Sequence, residues 1–287
     1  MLHHEDFVEH YKEVRRGLCS SSDKSLMFVT VDWSSAIEFR SRRQDGREFF
    51  NKVVRQMMGM SISIPGRPGG GREYVHGYIK EAGFPKTAVR TTFCVEYLLA
   101  KCLDIYKEEV GLFPSKLVLA MDTAQHFRNK VLICRLLRDS VLTKKVKVEL
   151  MWSPENHGKT ELDGSFRLAK SWVADINGAD YVKNGAMDLV GAISSCYDQR
   201  RNYHGCVVPE MSLARPFGVQ GIRRIILDQV KSVHSIADDG CNLQINKYFS
   251  KLDFCKGRVV TARFQQEGYQ EKPGRSRWMT RSSHQVK

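Results

Sequence analysis

The chain has 287 residues, 42% of them apolar and 10% aromatic, with 45 Lys and Arg against 32 Asp and Glu and a formal net charge of +13. That is the composition of an ordinary soluble globular protein long enough to bury a substantial core, and no apolar run reaches the roughly 18 residues of a membrane span. The positive balance favours a polyanionic partner, nucleic acid before an anionic membrane surface.

In chain order, residues 5–18, "EDFVEHYKEVRRGL", have a helical pattern with Phe7, Val8, Tyr11 and Val14 on one side. This charged N-terminus lacks the apolar core of a secretory signal, so the expectation is a nuclear or cytoplasmic protein that is not secreted. After the loop "CSSSDKS", the run "LMFVTVDW" is a strand apolar throughout, expected to be central and buried on both faces, and it ends at Asp32. A basic knot follows at Arg40, Arg42, Arg43 and Arg47, suited to gripping a nucleic-acid backbone. A D-G turn and β-prone residues lead through "MMGMSISI" to "PGRPGGGR", a loop or hairpin tip, and then to the strand "EYVHGYIKEAG".

Residues 87–109 carry the strongest helical periodicity, closed by "GLFP". "SKLVLAMD" is a second buried strand, ending at Asp122, and "TAQHFRNKVLICRLLRDSVL" is expected to be a helix starting at a capping Thr. "KVKVELMW" is a third strand. It delivers "SPENHGKTELDG", where Glu155, His157, Glu161 and Asp163 crowd into nine residues. Helices are expected at 165–176 and 186–199. The last 32 residues, 256–287, hold eight Lys and Arg against two Glu and are expected to be loosely ordered. The eight cysteines form no C-x-x-C pair and several lie in apolar runs, which predicts reduced thiols. His204, Cys206, Cys241 and Cys255 are spaced irregularly for a zinc site.

Mixed strands followed by alternating helix and strand predict an α/β domain. Sites in such sheets form at the carboxyl ends of strands, where Asp32, Asp122 and the loop after the third strand belong. Two carboxylates side by side repel, and a divalent cation relieves the repulsion. A third carboxylate from 155–163 would complete a two-metal site that cuts or joins phosphodiesters. Each aspartate has a plainer reading as a turn or helix cap, and Glu161 is the alternative third carboxylate. His157 is a candidate for orienting a phosphate, ligating metal or moving a proton. Arg128, Lys130 and Lys159 are candidate phosphate contacts. Trp33 and Trp152 follow strands at the same edge, where packing and base stacking are both open to them.

The segments "TVDW", "AMDTAQHFRNK" and "HGKTELDG", in this order on this strand pattern, resemble the RNase H-like catalytic domain of transposases and retroviral-type integrases, with a closer likeness to eukaryotic transposon-derived proteins. Asp122, Gln125, Asn129 and Lys130 match one family segment; His157, Gly158, Lys159, Asp163 and Gly164 match the other. Phe127 and Arg128 stand where the family version carries glycine. The resemblance implies an RNase H-like mixed sheet flanked by helices and Asp32, Asp122 and Asp163 as ligands for two Mg²⁺ or Mn²⁺ ions. It implies cleavage, and possibly joining, of DNA or an RNA–DNA hybrid, with a homo-oligomer or a separate DNA-end-recognising subunit as partner. The layout would be a helical lead-in at 1–19, the catalytic domain at 20–200, an α/β extension at 201–255 and the basic tail at 256–287. A catalytically inactive, domesticated nucleic-acid-binding module and a structure-selective nuclease share that fold.

Overall fold

The computed structural model describes residues 23–39, 53–67, 71–81, 85–139, 146–152, 161–175, 182–183 and 186–210, with residues 17 and 83 and short strands beyond 210. Apart from Gly17, the expected helix at 5–18 lies outside the described residues, as do Arg40, Arg42, Arg43, Arg47, His157 and Lys159.

The apolar run read as a central strand is one. β1, Leu26–Trp33, lies in the middle of a ten-stranded mixed sheet. β2, Met57–Ser63, and β3, Arg72–Ile79, form a meander with it, joined at the glycine-rich tip where the Ile64 N–H donates to the Gly71 carbonyl. The chain then crosses the sheet in helix α1, Ala88–Val110. Thr87 caps its start by accepting from the Arg90 N–H, and Gly111 ends it at φ 77°, the left-handed conformation that glycine adopts without a Cβ clash. β4, Lys116–Met121, returns parallel to β1, and β5, Lys147–Trp152, parallel to β4. Between them lies helix α2, Lys130–Cys134, which widens into a π-helical turn over Arg135–Asp139. The order β3-β2-β1-β4-β5, with β2 alone reversed, is an RNase H-like sheet.

Helices α3, Glu161–Asp175, and α4, Leu189–Tyr197, complete the described helical layers. β6, Tyr203–Val208, pairs in parallel with β3, so the sheet takes in residues past 200. On the far edge β7, Val233–Asp238, pairs with β5 and is followed by β8, Leu243–Lys247, β9, Val259–Ala262, and β10, Met279–Thr280, all antiparallel. The last two fall in the segment whose composition suggests loose order; "VVTA" is the β-branched stretch within it. Among the described residues, no helix is long and apolar enough to cross a membrane.

Alternation along β1 sorts its side chains between two layers. Met27, Val29, Val31 and Trp33 pack into the main core with α1, where Val95, Leu98, Leu99 and Cys102 are fully buried. Phe28, Thr30 and Asp32 face the other way, toward the side that α3 covers over β2 and β3 with Leu162, Phe166, Ala169 and Val173. Tyr106 of α1 donates to the carbonyls of Lys24 and Leu26, which pins the helix to the start of β1. Cys94, Cys102, Cys134, Cys196 and Cys206 are not in disulfides, and the first four are buried.

Three helix starts differ from the sequence expectation. The helix expected from 186 opens at Leu189, because Asp188 takes the cap and Ala186–Met187 is a short strand. The segment after Asp122 begins as turns, and its helix opens only at Lys130, because Asn129 takes the cap and accepts from the Leu132 N–H at 2.8 Å. Helix α3 starts at Glu161, four residues before the expected start, so Glu161 and Asp163 stand in its first turn. Carboxylates are favoured there because the helix dipole presents its positive end.

Candidate active site

The parallel register pairs Phe28 with Val118 and Thr30 with Ala120. Two residues further along, Asp32 and Asp122 come side by side on the same face, at the carboxyl ends of neighbouring strands spaced roughly 4.8 Å apart. Asp32 accepts from the Trp33 N–H at 2.7 Å. Asp122 accepts from the Ala124 N–H at 3.0 Å, which makes it the opening residue of a tight turn and not the cap of a helix at 123.

Helix α3 brings the third carboxylate, and the sheet is shaped to let it approach. Gly59 of β2 stands opposite Asp32. A Cβ on Gly59 would lie 2.3 Å from the ring of Phe166, so only glycine admits α3 this close. Two residues earlier on β1, Thr30 stands opposite Ser61. Glu161 accepts from Ser61 Oγ at 2.8 Å and from Thr30 Oγ1 at 3.3 Å, and Arg72 lies 4.0 Å from its other oxygen. Glu161 thus fastens the first turn of α3 to two strands. Asp163, one short step along the helix, contributes its charge to Asp32. Lower on α3, Ser165 reaches the buried His76, which also meets Tyr197 at 2.6 Å and locks α3 and α4 onto β3.

The consequence is electrostatic. Burial first, then the Asp122 charge, with a smaller push from Asp163, raises the Asp32 carboxyl to about 7, against the Trp33 N–H and Lys86. Burial draws Lys86 below the usual lysine range, while Asp32 and Asp122 hold it up. The Lys86 ammonium rests over the Trp33 ring, 5.0 Å from its centroid. His126 meets the same ring edge-on at 6.5 Å; burial lowers its pKa and Asp122 opposes that.

Asp32, Asp122 and Asp163 therefore share one electrostatic environment, and Glu161 is turned to the sheet beside it. Arg128 is half-buried and Lys130 opens α2. Trp33 is 8% exposed and Trp152 fully buried, donating to the Phe127 carbonyl, so both are packing residues. His204 bonds Glu73 at 2.9 Å, and Cys241 and Cys255 lie outside the described residues. Among the described residues, no three His, Cys, Asp or Glu side chains stand together as a ready metal cage. Lys86 and His126 are the neighbours that sequence reasoning missed. The signal for Lys86 was positional: it precedes the cap of α1, and β3 runs parallel to β1 through the meander, so α1 begins at the same end of the sheet as Asp32.

These features define a class: an RNase H-like sheet with carboxylates gathered at the carboxyl ends of its central strands. No protein-family profile and no curated protein sequence matches the chain. Among solved structures it is similar to Drosophila Piwi, at 16% identity and a TM-score of 0.27 over 45% of this chain, and to the N. crassa QDE-2 AGO MID-PIWI domains, at 10% identity and a TM-score of 0.28 over 61%. The chain spans 16% and 51% of those two chains. The fold assignment rests on the strand order and not on those scores.

Proposed function

We propose that this chain is a divalent-metal-dependent nuclease of the transposase and integrase kind, which cuts DNA phosphodiesters and can join the ends it makes. One observation carries the reading: Asp32 and Asp122 lie abreast on adjacent parallel strands, and burial together with the Asp122 charge raises the Asp32 carboxyl to about 7. Two carboxylates and a third near them offer only oxygen, the donor set of Mg²⁺ or Mn²⁺. Such ions, when bound, polarise the phosphate and activate the attacking hydroxyl or water.

The chain's own residues divide the remaining work. Asp32 and Asp122 would hold the ions between them, with Asp163 completing the set from α3. Glu161 keeps α3 on the sheet and so holds Asp163 at its distance. The +13 charge draws in the polyanion, and His157 is the candidate for orienting a phosphate or moving a proton.

The test is cleavage and strand transfer on labelled duplex, branched and RNA–DNA hybrid substrates with Mg²⁺ and Mn²⁺. Asp32→Asn and Asp122→Asn are expected to lower cleavage by about 10²–10³-fold or more while leaving nucleic-acid binding in chelator and the circular dichroism spectrum in place. Asp163→Asn is expected to match them. Glu161→Gln is expected to lower thermal stability more than rate. Undiminished turnover in the Asp32 or Asp122 variant sinks the assignment, and no cleavage of any substrate returns the chain to a non-catalytic binding module.

A further inference from the structure

We propose that Lys86 is the residue that holds the substrate phosphate at the carboxylate pair, and that it does so once a divalent ion neutralises Asp32 and Asp122. This rests on the metal-site reading above and adds to it a substrate-holding residue and an order of binding.

Three placements carry it. Lys86 sits just before the Thr87 cap of α1, at the end of the sheet where β1 and β4 deliver their aspartates. Its side chain is laid over the Trp33 ring, with the ammonium 5.0 Å from the centroid, and Trp33 directly follows Asp32. An ammonium over an aromatic face keeps a defined position while exposing its free donors. Trp33 is itself 8% exposed and flanked edge-on by His126, so the ring beneath Lys86 is packed in place.

Charge then sets the order. In the metal-free protein, Asp32 and Asp122 are the counter-charges that Lys86 feels. A phosphodiester approaching that site meets carboxylates that repel it. A divalent ion on the carboxylates removes that repulsion. The carboxylate charge is neutralised, and the ammonium seated on Trp33 is the positive group left to meet the incoming phosphate. Lysine suits this task as a compact point charge with three donors.

Ca²⁺ supports binding without requiring turnover, so affinity can be read apart from activity. The measurement is the affinity of the full chain for a labelled duplex oligonucleotide, by fluorescence anisotropy, in chelator and in Ca²⁺, across a salt series. For the unchanged protein, Ca²⁺ is expected to tighten binding by roughly tenfold or more. Lys86→Met is expected to leave the affinity in chelator within about twofold and to lose most of the Ca²⁺-dependent gain. Its log-affinity against log-salt slope in Ca²⁺ should fall by about 0.9, the loss of one phosphate contact. Lys86→Arg is expected to keep the gain, which separates a charge contact from damage to the fold. A Lys86→Met protein that keeps both the full gain and the full slope overturns the Lys86 assignment and leaves the metal site standing. Affinity of the unchanged protein that ignores Ca²⁺, with calorimetry finding no ion bound, overturns both.

Discussion

At the scale of single residues, Asp32 is a carboxylate kept near 7 by burial and by its neighbours Asp122 and Asp163. The stability consequence has a definite sign. A folded pKa above the ordinary 3.8 means that the native state keeps a proton that the unfolded chain has released. Stability therefore falls as pH rises from about 4 to about 7, and the cost is fully in place above that window. The cost is at most about 4 kcal/mol. Asp32→Asn keeps the shape and an oxygen for the Trp33 N–H, but removes the charge. Thermal melts in chelator are expected to show the variant several degrees more stable at pH 8 and no more stable at pH 4, at roughly 2–4 °C per kcal/mol. An equal gain at both pH values would mean that the benefit is not electrostatic. The same substitution is expected to abolish cleavage, so stability and activity move in opposite directions at this position.

At the scale of elements, the decisive contact is α3 on β2. Phe166 lies over Gly59, and Gly59 stands opposite Asp32, so the spacing between helix and strand fixes how near Asp163 comes to the pair. Gly59→Ala places a methyl 2.3 Å from the Phe166 ring and 3.4 Å from Leu162. The helix has to move, at a cost of about 1–3 kcal/mol. Phe166→Leu removes the ring atoms that clash. Denaturant midpoints of the two single variants and the double variant are expected to show a double variant clearly less destabilised than the sum. Strict additivity would show that α3 is not held off by this contact.

At the scale of the whole molecule, the excess of 13 positive charges is a property of the chain, and eight of its basic residues fall within 256–287. If nucleic-acid backbone contacts dominate, affinity falls log-linearly with salt. Replacing Arg275, Arg277 and Arg281 together by Gln is expected to reduce that slope, by about 0.9 for each arginine in contact with B-form duplex, while leaving metal-dependent cleavage at low salt within a few fold. An unchanged slope would remove these arginines from the binding surface. A salt-independent affinity of the parent chain would point to a protein partner.

The strand framework was legible from residues because its signals are local. "LMFVTVDW", "SKLVLAMD" and "KVKVELMW" are short apolar runs, and each occupies a central strand of the sheet. Two of them end in an aspartate, which directed attention to one end of the sheet. The start of α2 was misjudged because Asp122 and Asn129 are both good local bonding groups, and choosing between them takes the turn that Asp122 closes on Ala124. The start of α3 was set late because Glu161 and Asp163 look like loop carboxylates until Ser61 and Thr30, 100 and 131 residues away, reach the first of them. Lys86 was invisible for the same reason: nothing in "GFPKTAVR" marks it until the β1–β2–β3 meander sets the start of α1 at the Asp32 end of the sheet. Apolar periodicity and net charge are sums over neighbouring residues and are written in the sequence. That Glu161 faces the sheet depends on how the helix seats on the strands, which tertiary contacts decide: Ser61 and Thr30 on Glu161, and Phe166 against Gly59.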